Sequence, residues 1–418
     1  MKLTPQIVEQ CREQFPSLSR RVGDRPAIYF DGPAGTQVPE RVIDAIREYL
    51  CRCNANHGGL FATSRESDCW LDEIHRAVAD FLGANDPDEV AFGANMTSLT
   101  MAVSRALSKT WQPGDEVVVT RLEHDANFSP WVLAAQDAGA TVRYVNIHPE
   151  DCTLDLDDFR QKINAKTRLV AVGCASNASG TVNPVQTICR WAREVGAISF
   201  LDAVHYAPHQ LIDVDGFGCD LLVCSAYKFF GPHVGVMWGR RQLLEQLQPY
   251  KLRPAPNELP GRWMTGTQNH ECLAATKGAI DYLEHLGQTV AETPPPNRRS
   301  ALQVAFQAIR QYENCLVEEL LDGLQEIEGI KVWGITTKDR MAERFSTVSF
   351  THDRFTSTQI AQRLGEFGIF VWHGNFYALP LSEALGLEPD GMVRIGLVHY
   401  NTAGEVQSFL DALRDILS

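Results

Sequence analysis

From about residue 88 onward, short runs of β-branched and other apolar residues alternate with longer stretches of helical periodicity. That alternation is the signature of βαβ units wrapped around a mainly parallel sheet. Strands are expected over residues 116–120, 141–145, 169–173, 198–202, 221–225 and 235–238, with helices between them over 130–138, 156–163 and 185–195. The stretch 288–300 contains Pro294, Pro295 and Pro296, which cannot continue a helix, and it reads as a surface connection between domains. Beyond it the pattern predicts a long helix over 302–327, strands over 346–351 and 369–372, and a closing helix over 402–417. The expected fold is α/β, with a large domain over residues 21–287. A smaller C-terminal α/β domain covers 288–418 and is joined by residues 1–20.

Composition changes this picture little. The 418 residues are 44% apolar and 22% charged, the balance of an ordinary globular protein with ample material for two cores. A formal net charge of -14 argues against a nucleic-acid partner, which needs clustered lysine and arginine to displace phosphate counterions. No run approaches the about 20 apolar residues of a membrane span, and the first residues lack a signal-peptide core, so a cytoplasmic protein is expected. The 11 cysteines are odd in number and scattered, which speaks against a disulfide framework or a metal site. Cys51 and Cys53 form the only close pair and read as small buried residues.

Candidate chemistry gathers where the predicted strands end. Lys228 follows the apolar run 220–225, which places it at a strand's carboxyl end, where open α/β sheets bind ligands. A lysine desolvated there can act as an amine nucleophile. Asp202 closes the neighbouring run 197–201 and could hold a pyridine nitrogen protonated. Asn95, Met96 and Thr97 lie where a strand gives way to a helix beginning near Leu99, a setting that suits a phosphate, and Ser225 could add a hydroxyl to it. His124 follows another strand and could stack on a flat ring. Arg394 interrupts the apolar run 392–397 and offers a fork of donors for a carboxylate.

In combination these residues resemble the class V branch of fold-type I pyridoxal-phosphate (PLP) enzymes, most closely the cysteine desulfurases and their relatives. The resemblance runs from Tyr29-Phe30-Asp31 through Glu123-His124-Asp125-Ala126-Asn127, Ser176-Asn177, Asp202-Ala203-Val204-His205, Ser225-Ala226-Tyr227-Lys228 and Gly266-Thr267 to Arg394. It implies that Lys228 bonds the cofactor, Asp202 pairs with its ring nitrogen and His124 stacks on the ring. Asn177 would lie near the phenolic side, while Asn95, Met96, Thr97 and Ser225 would hold the phosphate. Arg394 would anchor an amino-acid substrate's carboxylate. Thr267 would reach the phosphate from a partner subunit, which implies a homodimer.

Three departures surround the same pocket. His205 stands where the desulfurases usually have glutamine beside the cofactor's phenolic oxygen, Tyr227 replaces the histidine before the lysine, and Trp372 replaces an arginine; the resemblance implies that His205 and Tyr227 contact the cofactor. Tyr377 falls where those enzymes carry the cysteine that accepts sulfur, and no cysteine follows Cys315. His57, Trp372 and Tyr377 are accordingly candidate substrate contacts. The expected activity is a PLP-dependent C–S (β-elimination) lyase. A desulfurase working by an atypical route, an aminotransferase, an epimerase and a turnover-deficient PLP-binding scaffold are its rivals.

Overall fold

The computed structural model describes residues 2–418. Seven strands form one sheet: β1 (Val90–Gly93), β2 (Glu116–Thr120), β3 (Thr141–Val145), β4 (Thr167–Gly173), β5 (Ile198–Asp202), β6 (Leu221–Ser225) and β7 (Gly235–Gly239), in the order β1-β7-β6-β5-β4-β2-β3. Strands β2 to β6 pair in parallel, and β7 runs antiparallel to both of its neighbours. The near-continuous apolar runs are explained by cover on both faces. Val117, Val119, Ala171 and Val223 enter one apolar core, while the alternate residues Val118, Val172 and Leu222 enter another on the opposite face.

A second sheet is built from β8 (Ile330–Trp333), β9 (Thr347–His352), β10 (Trp372–Gly374) and β11 (Met392–Gly396), antiparallel in the order β8-β9-β11-β10. The helices Arg298–Gln325 and Ala403–Leu417 pack on it around Leu316, Leu320, Phe350, Ile395 and Phe409. The N-terminal segment is bound to this part of the molecule. Ile28–Tyr29 pairs in parallel with Ile369–Phe370, and Asp31 bridges to Gly396.

Three sequence expectations need correction. Residues 369–372 are not one strand: Ile369–Phe370 joins the N-terminal segment, whereas Trp372–Gly374 pairs with β11. The connection expected over 288–300 is shorter, because the helix His270–Val290 runs through its start and the helix Arg298–Gln325 begins before its end, capped by Asn297. Cys53 is buried as expected, but Cys51 lies exposed on the helix Glu40–Arg52. Among the described residues, no helix is long and apolar enough to cross a membrane.

The parallel register brings several chain ends together. Asp202 lies opposite Gly173 on one side and Val223 on the other, so β4, β5 and β6 end along one edge. At β7, Gly235 pairs with Gly93, and a Cβ there would stand 2.3 Å from the carbonyl carbon of Asn95. Only glycine lets the next helix begin against the sheet.

Candidate active site

A cavity of about 810 Å³ opens along that carboxyl edge and is closed from the other side by residues of the second sheet. Lys228 ends a short turn, Ala226–Lys228, directly after β6. Its Nζ donates to the carbonyls of Pro33 and Ala34, the latter at 3.0 Å. Burial, reinforced by the Arg394 charge, draws its pKa down to about 7. Asp202 Oδ1 accepts from the Val204 N–H at 2.8 Å, and burial raises this carboxyl to about 6 against the pull of that bond and of Lys228. Near neutral pH the lysine is therefore poised between ammonium and free amine beside a mostly ionised carboxylate.

The anion end is formed at the N-terminus of the helix Met96–Ser108. Asn95 caps it by accepting from the Ser98 N–H at 2.8 Å, and the Met96 N–H donates to Ser225 Oγ at 3.3 Å. Thr97 lines the cavity beside them. This helix starts earlier than the sequence suggested, so Met96 and Thr97 belong to its first turn.

His124 Nδ1 accepts from the Ala126 N–H at 3.0 Å, which leaves the other ring nitrogen to carry the proton. Burial, with Lys228 and Arg394 nearby, pushes its pKa down to about 4, so the ring is neutral at pH 7. The Tyr377 ring stacks on it, with centroids 5.6 Å apart and planes 20° from parallel. Phe376 and Tyr377 both have left-handed backbones, φ 57° and 58°, an uncommon strain for such residues. The Asp125 N–H holds the Tyr377 carbonyl at 2.6 Å and Asn177 Nδ2 holds that of Phe376 at 2.9 Å.

Arg394 is buried, donates to the Asn177 carbonyl at 3.0 Å and lies over the Phe376 ring, 4.2 Å from its centroid. Tyr227 lines the cavity and stacks on His233 at 5.0 Å. Trp372 and Tyr377, 51% and 72% exposed, form the mouth. Asn177 Oδ1 and His205 Nε2 are buried in the cavity wall without partners. His57 and Thr267 are not brought to Lys228 within one chain. They line a second cavity of about 700 Å³ together with Asp68 and His270.

Two carboxyls here escaped the sequence reading. Glu123 is fully buried, accepts from Thr120 Oγ1 at 2.6 Å and Asn127 Nδ2 at 2.7 Å, and is raised to about 8 by burial. Asp31 is raised to about 6 by burial, opposed by Arg394 and Lys228, and its Oδ1 has no partner. Both stand inside the family-like motifs Tyr29-Phe30-Asp31 and Glu123-His124, the one signal of them in the sequence.

A buried amine of low pKa, an ionised carboxylate on the next strand end, a helix N-terminus and a neutral imidazole share one cavity. With the two orphaned buried atoms on its wall, this donor set fits pyridoxal phosphate. The pattern of the family described as Aminotransferase class-V matches residues 28–293 and 300–409. The chain belongs to the class-V aminotransferase family. This class-V protein is 30% identical to the cysteine desulfurase of Serratia proteamaculans, over 98% of both chains. It is 32% identical to the aminotransferase-like protein FGM3 of Gibberella zeae, again over 98% of both chains. The apo structure of the cysteine desulfurase from Thermococcus onnurineus superposes with a TM-score of 0.87 at 26% identity, covering 98% of each chain. The chain is an enzyme of the cysteine desulfurase-like, PLP-dependent group, with the mainly parallel seven-stranded fold of those proteins.

Proposed function

We propose that this class-V enzyme is a C–S lyase, which eliminates a β-thiol substituent from a cysteine-type amino acid without an enzyme thiol. One observation carries the reading: among the described residues no cysteine lines the cavity, and its mouth holds Tyr377 stacked on His124. The cysteines next in the chain to lining residues, Cys174 and Cys224, are buried, and desolvation pushes both thiols far from ionisation.

Bound at Lys228, pyridoxal phosphate supplies the electron sink that makes the α-proton of an amino acid acidic. Asp202 would keep the ring nitrogen protonated, and the helix start at Asn95, Met96 and Thr97, with Ser225, would hold the phosphate. His124, neutral, would face the ring without adding charge. Arg394 grips the α-carboxylate, its guanidinium kept in place by the Asn177 carbonyl and the Phe376 ring. The Lys228 amine takes the α-proton. Trp372 and Tyr377 cover the mouth beside the departing group. The overall change is thioether amino acid plus water to thiol, pyruvate and ammonium. We propose further that Thr267, and with it His57, completes the site of a second subunit in a homodimer.

Incubating the PLP-loaded enzyme with cysteine, cystine and cysteine S-conjugates tests the reading, with pyruvate as the expected carbon product. Alanine with protein-bound sulfur would show desulfuration instead. A keto acid formed only with an added amino acceptor would show transamination, the reaction suggested by the name of the FGM3 relative. An unchanged skeleton of inverted chirality would show epimerisation. If none of the substrates yields pyruvate, the lyase assignment is wrong.

A further inference from the structure

Behind the cavity wall lies a buried polar chain that none of the roles above uses. His205 follows β5 and leaves its Nε2 unpartnered. Its ring packs edge-on against that of His209, with centroids 5.2 Å apart at 70°. His209 Nδ1 in turn meets Glu313 Oε2 at 2.7 Å. Glu313 belongs to the helix Arg298–Gln325 and also accepts from Ser346 Oγ at 3.1 Å. His209 is clamped by Phe345, whose ring stacks on it at 4.9 Å, and the Arg310 guanidinium lies 4.7 Å from the centroid of that same ring.

Glu313 is completely buried and His209 is 2% exposed. Burying such a pair against a wholly apolar alternative costs free energy, so stability alone gives little reason for it. Its location offers one. It ties a cavity-lining ring to the helix that packs on the second sheet. We propose that His209 and Glu313 are positioning residues: they fix the His205 ring so that its free nitrogen meets the phenolic side of the cofactor bound at Lys228. The inference rests on cofactor binding at Lys228 and not on the lyase reaction.

The charged and titratable groups around His205 are His209 from its own segment, Lys228 from the turn after β6 and Arg394 from β11. Beyond them His399, whose Nε2 meets Tyr282 Oη at 2.6 Å, acts on His209's side. Of these groups, among the described residues, only His209 meets a buried carboxylate, that of Glu313, so that carboxylate can be altered while Lys228 and Arg394 keep their contacts.

The test is a pH titration of the visible absorption band of the bound cofactor. It is run on the holoenzyme and on the variants His205→Ala, His209→Asn, Glu313→Gln and the double variant His205→Ala with Glu313→Gln. A hydrogen-bonding group lost from the phenolic side is expected to move the midpoint by about half a unit or more in each single variant. In the His205→Ala background the Glu313 change should add nothing, since Glu313 acts through His205. Midpoints that stay at the wild-type value in His209→Asn or Glu313→Gln, or shifts that add in the double variant, overturn the proposal. Should Glu313→Gln fail to fold, Ser346→Ala, which removes one donor to the same carboxylate, is expected to move the midpoint in the same sense. Absence of any such band from the wild-type enzyme would instead sink cofactor binding at Lys228.

Discussion

Lys228 illustrates how burial converts an ordinary residue into a reagent. Two backbone carbonyls hold its Nζ, and desolvation places its pKa at about 7 instead of 10.5. Below that value the ammonium predominates and cannot attack a carbonyl; above it the free amine predominates. Capture of pyridoxal phosphate by cofactor-free protein is therefore expected to accelerate as pH rises through about 7, followed by stopped-flow absorbance. A rate that climbs only above about pH 9 would show an amine with ordinary solvation. Lys228, Asp202, His124 and Arg394 were legible in the sequence because each closes, interrupts or shortly follows an apolar run. Glu123, His209 and Glu313 were not. A carboxylate that is buried against Asn127 or a histidine looks the same in the sequence as one on the surface, and only the tertiary partners distinguish them.

At the scale of elements, Gly235 shows how one missing side chain places the anion site. A Cβ at this position would meet Asn95 carbonyl carbon, oxygen and Cα at 2.3, 2.6 and 2.8 Å, all of them backbone atoms that cannot swing aside. Gly235→Ala is expected to push the start of the helix Met96–Ser108 away from β7, costing about 1–3 kcal/mol as overpacking does. A calorimetric scan should show the lower Tm, and equilibrium titration should show weaker cofactor binding. Unchanged affinity would mean that the helix start does not hold the phosphate. Six of the seven strands of the large sheet were readable to within two residues because most of them are buried, largely apolar runs, and even β3, half exposed at the sheet edge, keeps a β-branched pattern. The helix start at Met96 was missed because the cap residues Asn95 and Ser98 read as a turn. The run 369–372 was misread because its two halves serve different partners, a long-range fact that periodicity does not carry.

For the whole molecule, the separation of His57 and Thr267 from Lys228 within one chain gives the dimer proposal a sharp test. Lys228→Ala and Thr267→Ala should each be impaired alone. In a mixed dimer, one site would draw Lys228 from the Thr267→Ala chain and Thr267 from the Lys228→Ala chain. Unfolding and refolding the two together is expected to recover activity above the sum of the separate preparations. No recovery, or a monomer in sedimentation, would place Thr267 outside the neighbouring site.

Ile28–Tyr29 finds its strand partner in Ile369–Phe370, far later in the chain. The carbonyls that steady Lys228 follow shortly after that early strand, at Pro33 and Ala34. Such long sequence separation makes loop closure slow and leaves the early segment without its partner while most of the chain is made. Cofactor loading is thereby tied to the arrival of a late segment: nascent chains stalled before residue 369 are expected to show little retention of pyridoxal phosphate, and chains carried through residue 418 to retain it. Equal retention by both would uncouple cofactor loading from this closing strand pair.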